Sequence, residues 1–125
     1  MNTLIPVQSK ELNYCIAWFR LHEAALKNEH ERAFLNYRLL IHSYDNIGFQ
    51  HQIEGELHLL FLEYALAAIS FKKAFLIYFY NQDYINAFLT HQRIENLTHE
   101  KLNETSQLQQ IINQNRREFN LFLDE

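Results

Sequence analysis

The chain has 125 residues and a formal net charge of -4, with two glycines, one proline and one cysteine. Its length fits a single domain over residues 1–125, and the shortage of Gly and Pro argues against sheet folds. An all-α fold of five to six helices is expected, either an array of helical hairpins or a compact helical bundle with a long C-terminal helix. Dispersed basic residues argue against nucleic-acid binding, and one cysteine excludes an internal disulfide framework.

The N-terminal residues predict an irregular lead-in over residues 1–8 and then a first helix. Pro6 ends any earlier regular structure, Ser9 is a suitable N-cap, and the helix is expected to extend to Leu26. Apolar residues occur on two sides of this helix, so it is expected to lie between neighbours or to offer one side to a partner. The lead-in lacks the pattern of a Sec-type signal peptide, which favours a cytoplasmic location and leaves export by another route open.

The next two elements are predicted from hydrophobic spacing. Apolar residues over 33–44 recur with a period of about 3.6 residues, which predicts a helix that ends near Gly48, with this glycine in the left-handed conformation. Residues 50–80 are then almost continuously apolar. One helix of that length would measure about 45 Å at 1.5 Å per residue, so a break or kink is expected at residues 67–71.

The apolar centre of the chain, from Leu57 to Tyr80, has the length of a membrane-spanning helix. Glu63, Lys72 and Lys73 interrupt it, and each central charge costs roughly 2.5–3.5 kcal/mol on insertion scales. We therefore expect no membrane span. The stretch is expected to form the hydrophobic centre of the fold, covered by amphipathic neighbours.

The C-terminal third is predicted to contain a polar turn at residues 81–83, a helix over 84–97 and a C-terminal amphipathic helix over 99–125. The last helix carries a narrow apolar seam from Leu108 to Leu123, with Asn115 inside it. A narrow seam suits pairing with one helix, so one interpretation is a homodimer formed through this C-terminal helix.

An internal repeat relates two segments with an offset of 54 residues, one beginning at Asn28 and the other at Gln82, and both contain the string Ala-Phe-Leu. Each follows an apolar helix and a polar turn, so the repeating unit is a helical hairpin. The chain resembles the tetratricopeptide repeat (TPR) family, whose usual period is about 34 residues, and an extra helix over residues 50–66 is expected to fill the longer offset. The residues that carry the resemblance are Ala33, Tyr37 and Leu40 in the first segment and Ala87, His91 and Ile94 in the second.

The resemblance implies a groove that binds peptides or helices of other proteins. The expected function is therefore a non-enzymatic adaptor, chaperone or inhibitor that buries aromatic anchors against a partner protein, without a cofactor. The alternative interpretation of Trp18, Phe79 and Tyr80 is that they are ordinary core residues. The residues predicted to bind the partner are Tyr14, Trp18, His22, Lys72, Leu76, Phe79 and Tyr80.

A second class of function is a metal- or ligand-binding helical bundle. His91, Glu95 and His99 recur every fourth residue, a spacing found in metal sites. Catalysis is not expected, because Cys15 lies among apolar neighbours, where a thiol is inert. Richness in Asn, Gln, Ile and Lys favours an AT-rich bacterial genome.

Overall fold

The computed structural model describes residues 16–43 and 46–119, and within these ranges every regular element is a helix. The predicted all-α fold is confirmed. The lead-in, the start of the first helix and the residues after 119 lie outside the described ranges. Helical residues 16–26 are α1, followed by α2 (His30–Ser43), α3 (Ile47–Leu60), α4 (Tyr64–Tyr80), α5 (Tyr84–Leu97), α6 (Thr105–Gln114) and α7 (Arg116–Phe119).

None of the helices in these ranges is both long enough and apolar enough to cross a lipid bilayer. The longest, α4, contains the adjacent charges Lys72 and Lys73. One side of α4 packs in an apolar core, whereas Leu66, Ile69 and Leu76 on its other side stay exposed, so the expectation that neighbouring helices cover the whole apolar stretch holds for one side only.

The same tight turn follows α1, α3 and α4. In each turn the second residue is left-handed, with φ of 58° at Asn28, 62° at Leu62 and 63° at Gln82. The next residue donates its backbone N–H to a carbonyl five residues earlier, which satisfies an otherwise unpaired group at the helix end and reverses the chain. These hydrogen bonds join Glu29 to Ala24, Glu63 to His58 and Asp83 to Tyr78.

The long apolar stretch breaks at residues 61–63, and not at the predicted residues 67–71, which lie inside α4. The break was not predicted because Leu62 is an unusual residue in the left-handed conformation, where Gly or Asn is expected. The turn is stable because α4 then folds back onto α3 and buries its apolar side. The predicted turn at residues 81–83 and the helix over 84–97 are confirmed.

Replacing Leu62 by glycine is expected to raise the free energy of unfolding by about 1 kcal/mol. The left-handed conformation costs an ordinary L-residue about 1–2 kcal/mol, and part of this gain is offset by the greater freedom of glycine in the unfolded chain. Leu62 is exposed, so the substitution removes little packing. Urea denaturation measures the change. Asn28→Gly is the matched control and should change stability less, because asparagine tolerates this conformation; equal effects at both turns would contradict the explanation.

Gly48 does not end α2. It lies in the first turn of α3, where the side chain of Asn46 caps the helix by accepting a hydrogen bond of 2.9 Å from the backbone N–H of Phe49. A Cβ atom at Gly48 would lie 2.9 Å from a ring carbon of Tyr78 on α4. The glycine is therefore needed for the close approach of α4 and not for a left-handed turn.

Two apolar cores are joined through α3 and α4. The first core lies between α1, α2 and α3, and the second between α4, α5 and α6. Gly55 of α3 lets the Phe71 ring of α4 pack directly on the helix backbone, because a Cβ atom there would lie 2.9 Å from three ring carbons. The members of the first core are Ala17, Leu21, Ala24, Ala33, Leu40, Ile53 and Leu57.

The C-terminal segment is not one helix over residues 99–125. Residues 98–104 are non-helical, α6 ends before Asn115, whose backbone is outside the helical region (φ -123°, ψ 40°), and α7 follows. Leu108 and Ile112 of the predicted seam are buried in the second core. This half of the seam therefore packs within the chain, while Phe122 and Leu123 lie outside the described residues.

The structure also divides the repeat differently. α3 packs extensively against α4, so it belongs to a hairpin and is not an extra helix between hairpins. Leu62 follows Asn28 by 34 residues, and Gln82 follows Leu62 by 20 residues. A fully buried alanine lies five residues after each of them, at positions 33, 67 and 87. The offset of 54 residues is therefore the sum of the two steps, 34 and 20 residues, that separate three turns of the same geometry.

Candidate protein-binding groove

An open groove of about 610 Å³ lies between α2 and the C-terminal half of α3 and is bounded at one end by the α3–α4 turn. We call it the α2–α3 groove. Its volume is within the range of about 300–1,000 Å³ typical of ligand sites. The lining residues are His30, Glu31, Phe34, Leu35, Tyr37, Glu54, Leu57, His58, Phe61 and Glu63.

Apolar side chains form most of the groove surface. Leu57 is buried at its base and also belongs to the first core, while Phe34 and Leu35 of α2 are exposed. This exposure follows from the sequence of α2, which has apolar residues on more than one side; Ala33 and Leu40 are already used in the core. Water-exposed apolar surface costs about 25 cal/mol per Å², so covering these side chains with a partner would be favourable.

The charged groups at the groove are acidic. Glu31, Glu54 and Glu63 line it, and none of its described lining residues is Lys or Arg. Two of the carboxylates are held in place. Glu54 Oε1 accepts a hydrogen bond of 2.9 Å from Ser70 Oγ, and Glu63 Oε1 lies 3.0 Å from His58 Nδ1. The groove is therefore suited to a ligand that combines apolar side chains with positive charge.

Aromatic rings complete the groove surface. The His30 ring stacks on Phe61, with the ring centroids 4.1 Å apart and the planes at 15°. Partial burial, and to a smaller extent the charge of Glu54, raises the pKa of Tyr37 above 10.0. Like that of an ordinary tyrosine, its hydroxyl is protonated at neutral pH and can form hydrogen bonds. The stability gained from the neutral phenol is present below pH 10 and is lost as the pH rises through the raised pKa.

The residues predicted on the first helix do not line this groove. Tyr14 lies outside the described residues. Trp18 is half-buried against the first core, and its ring packs edge-on against His22 at a centroid distance of 4.4 Å. His22 Nδ1 lies 2.9 Å from the backbone oxygen of Trp18. These two residues therefore form a local contact on α1.

The residues predicted on α4 have different surroundings from one another. Phe79 is only 6 % exposed and belongs to the second core, so it is a core residue and not an accessible anchor. Lys72 Nζ pairs with Glu100 at 2.6 Å, and the Tyr80 hydroxyl donates to Glu104 at 2.6 Å, which raises the pKa of Tyr80. Both acceptors, Glu100 and Glu104, belong to the α5–α6 connection, so the polar groups of Lys72 and Tyr80 are bound within the chain. Leu76 and the Tyr80 ring stay exposed at the surface.

The proposed metal-ligating residues line a separate cavity of about 370 Å³ at the α5–α6 connection. His91 is buried there, with Nε2 3.0 Å from Thr105 Oγ1 and Nδ1 3.4 Å from Glu95. In the part of the chain that the structure describes, no three His, Cys, Asp or Glu side chains are grouped so that they could hold a metal ion. His91, Glu95 and His99 therefore do not form such a group.

None of the groove residues was predicted as a binding residue. No local signal separates them from other exposed residues: Leu35 and Leu39 form an i, i+4 apolar pair off the main stripe of α2, but only Leu35 lines the groove. The side of the groove formed by α3 could not be predicted from the sequence, because it depends on the packing of α3 beside α2.

Comparison of the chain with protein-family models, curated proteins and solved structures finds no match in any of the three. The groove itself is therefore the basis for inferring a function.

Proposed function

We propose that this protein is a non-enzymatic interaction module that binds an apolar, Lys- or Arg-bearing segment of a partner protein in the α2–α3 groove. The single observation that carries the proposal is an apolar groove whose lining residues, among those that the structure describes, include three carboxylates and no Lys or Arg. Roles as an adaptor, chaperone or inhibitor all use such a surface.

The shape of the groove favours a short peptide or helix segment as the ligand. Its lining on α2 extends from His30 to Tyr37, about 10 Å at 1.5 Å per residue, which matches two helical turns. A partner helix would place apolar residues at i, i+3 and i+4 against Phe34 and Leu35. Lys or Arg beside these residues would face the rim carboxylates, which favours such sequences over acidic ones.

A TPR-like construction is also part of this proposal. The turns at Asn28 and Leu62 are 34 residues apart, which agrees with the TPR period. In the α3–α4 hairpin, Ala67 and Phe71 have the spacing of the alanine and the aromatic residue of the family pattern. The Phe71 ring packs against Gly55 at the close contact between the two helices, where a small residue is needed. Grooves between such hairpins suit peptide binding.

Peptide selection followed by binding measurements tests the groove. A random peptide library displayed against the protein is expected to yield sequences that combine apolar residues with Lys or Arg. Fluorescence polarisation with a selected, labelled peptide then measures Kd. Leu35→Glu should weaken binding at least tenfold, because it places a charge on the apolar wall. The affinity should also fall as salt screens the rim carboxylates.

A closely matched control is available on the same helix. Leu39 is 56 % exposed and Leu35 is 58 % exposed, but only Leu35 lines the groove. Leu39→Glu should therefore bind the selected peptide as the unaltered protein does. The proposal is wrong if the two variants bind alike, or if selection enriches acidic peptides or none.

A further inference from the structure

The outer side of α4 carries an exposed apolar stripe along its whole length, separate from the α2–α3 groove. Its members recur every three or four residues, so they lie on one side of the helix. The large apolar members are between 36 % and 67 % exposed, whereas monomeric proteins rarely expose contiguous apolar patches larger than a few hundred Å². We call this set the α4 stripe: Leu66, Ile69, Lys73, Leu76 and Tyr80.

Lys73 is the charged residue near the middle of the α4 stripe. It is exposed and forms no hydrogen bond or ion pair with the residues that the structure describes. Its neighbour Lys72, by contrast, pairs with Glu100. A partner that covers the stripe must therefore supply a carboxylate opposite Lys73, or the ammonium group loses water without compensation.

A second exposed stripe, on α1, has the same spacing and the opposite charge. We call it the α1 stripe: Ile16, Phe19, Glu23 and Leu26. Leu26 is 88 % exposed, so most of its side chain contacts water. The Glu23 carboxylate is 3.7 Å from Arg32, whereas Arg32 has a shorter contact of 2.9 Å with Glu29. Glu23 can therefore turn to another cation without leaving Arg32 unpaired.

We infer that the α1 stripe of one copy of this chain packs on the α4 stripe of a second copy, with Glu23 opposite Lys73. In an antiparallel arrangement this pair brings Leu26 to Ile69, Phe19 to Leu76 and Ile16 to Tyr80, because the steps along both helices are three and four residues. Every large side chain of the α1 stripe then meets an apolar partner. The second copy is the occupant that matches the α4 stripe in spacing and in charge.

The central ion pair sets the register of this contact. Sliding one helix by a turn would place Glu23 and Lys73 against apolar side chains and leave both charges desolvated and unpaired. The contact joins two different surfaces, so it closes into a dimer only if both stripes of each copy face the other copy, and it otherwise extends to a ring or a filament. None of the residues that line the groove belongs to either stripe, so variants of the stripes and of the groove can be tested separately.

Sedimentation velocity over a range of concentrations tests this inference. The unaltered chain is expected to self-associate at micromolar to submillimolar concentration. Lys73→Glu and Glu23→Lys should each weaken association at least tenfold, because they place like charges together. The double variant Glu23→Lys with Lys73→Glu should recover the affinity, since the pair is restored with its charges exchanged.

Two controls separate the stripe from general charge effects. Glu29→Lys makes the same charge change as Glu23→Lys and also removes a partner of Arg32, but it lies off both stripes. Lys101→Glu matches Lys73→Glu on an exposed residue elsewhere. Neither should alter association, and circular dichroism should show that all variants are folded. A monomeric unaltered chain, or a double variant as weak as the single ones, would overturn the inference and leave the stripes for other partners.

Discussion

Replacing Phe71 by alanine is expected to lower the free energy of unfolding by about 3–5 kcal/mol, the usual cost of removing a buried aromatic ring. Phe71 is fully buried on α4, where its ring packs on Gly55 of α3. The ring is also 5.8 Å from the guanidinium of Arg93 on α5. The substitution therefore opens a cavity between α4 and the helices that pack against it, α3 and α5. Urea denaturation followed by circular dichroism measures this loss.

A double-mutant cycle with Gly55 makes this prediction specific. Gly55→Ala alone should cost about 1–3 kcal/mol, because its Cβ would lie 2.9 Å from ring carbons of Phe71. In the Phe71→Ala background the ring is gone, and the same change should be neutral or stabilising, since alanine favours a helix over glycine by about 0.5–1 kcal/mol. Additive effects of the two substitutions would contradict the close contact.

Replacing Ile112 by alanine is expected to lower the free energy of unfolding by about 2–5 kcal/mol. Ile112 is buried in the second core, where α6 covers α4 and α5. The change leaves a cavity that the surrounding helices fill only in part. Chemical denaturation measures the loss, and Asn113→Ala, at the exposed neighbouring residue, should change stability by less than about 0.5 kcal/mol.

The concentration dependence of this loss separates two roles of the C-terminal seam. If Ile112 packs within its own chain, the loss caused by Ile112→Ala is the same at low and at high protein concentration. If it packs against a second copy, the loss grows with concentration, because association stabilises the folded state by mass action. The buried position of Ile112 predicts the first result, and the second would favour the homodimer through the C-terminal helix.

The local sequence was sufficient to predict an element where a cluster of polar residues and the helical period of the apolar residues indicated the same boundary. The cluster at residues 81–83 and the apolar period that follows it correctly defined α5, and Asp83 accepts the capping hydrogen bond from the backbone N–H of Asn86. The polar cluster near Asn28 likewise marked the first turn. Such features were predictable because the interactions that stabilise them join residues only a few positions apart.

The positions of the two glycines show why other features were not predictable. A glycine after an apolar period usually ends a helix, but Gly48 lies inside α3, and Gly55 is tolerated in mid-helix despite its cost. Both are required by rings of α4 that approach to within 2.9 Å of a Cβ position. The partner rings, Tyr78 and Phe71, are distant in sequence, so no local pattern connects them with these glycines.

The residues of the α2–α3 groove could not be predicted from local sequence either. Phe79 and Leu35 are both large apolar residues on helices with more than one apolar side, so the helical period alone does not indicate which of the two is buried. Packing of α5 and α6 buries Phe79, while the gap between α2 and α3 leaves Leu35 exposed in the groove. Composition could predict that apolar surface would exceed what one core needs. It could not predict which residues would stay exposed.

The sequence by itself determined that this protein is helical, that polar turns lie within residues 27–31 and at 81–83, and that its apolar centre is interrupted by charge. These properties depend on local propensity and hydrophobic period, which each segment carries on its own. The tertiary structure alone decided the break at Leu62, the pairing of α3 with α4, the packing of α6 in the second core of its own chain and the position of the groove. They depend on packing between residues far apart in the chain, where burial of side chains on a neighbouring helix outweighs local preference.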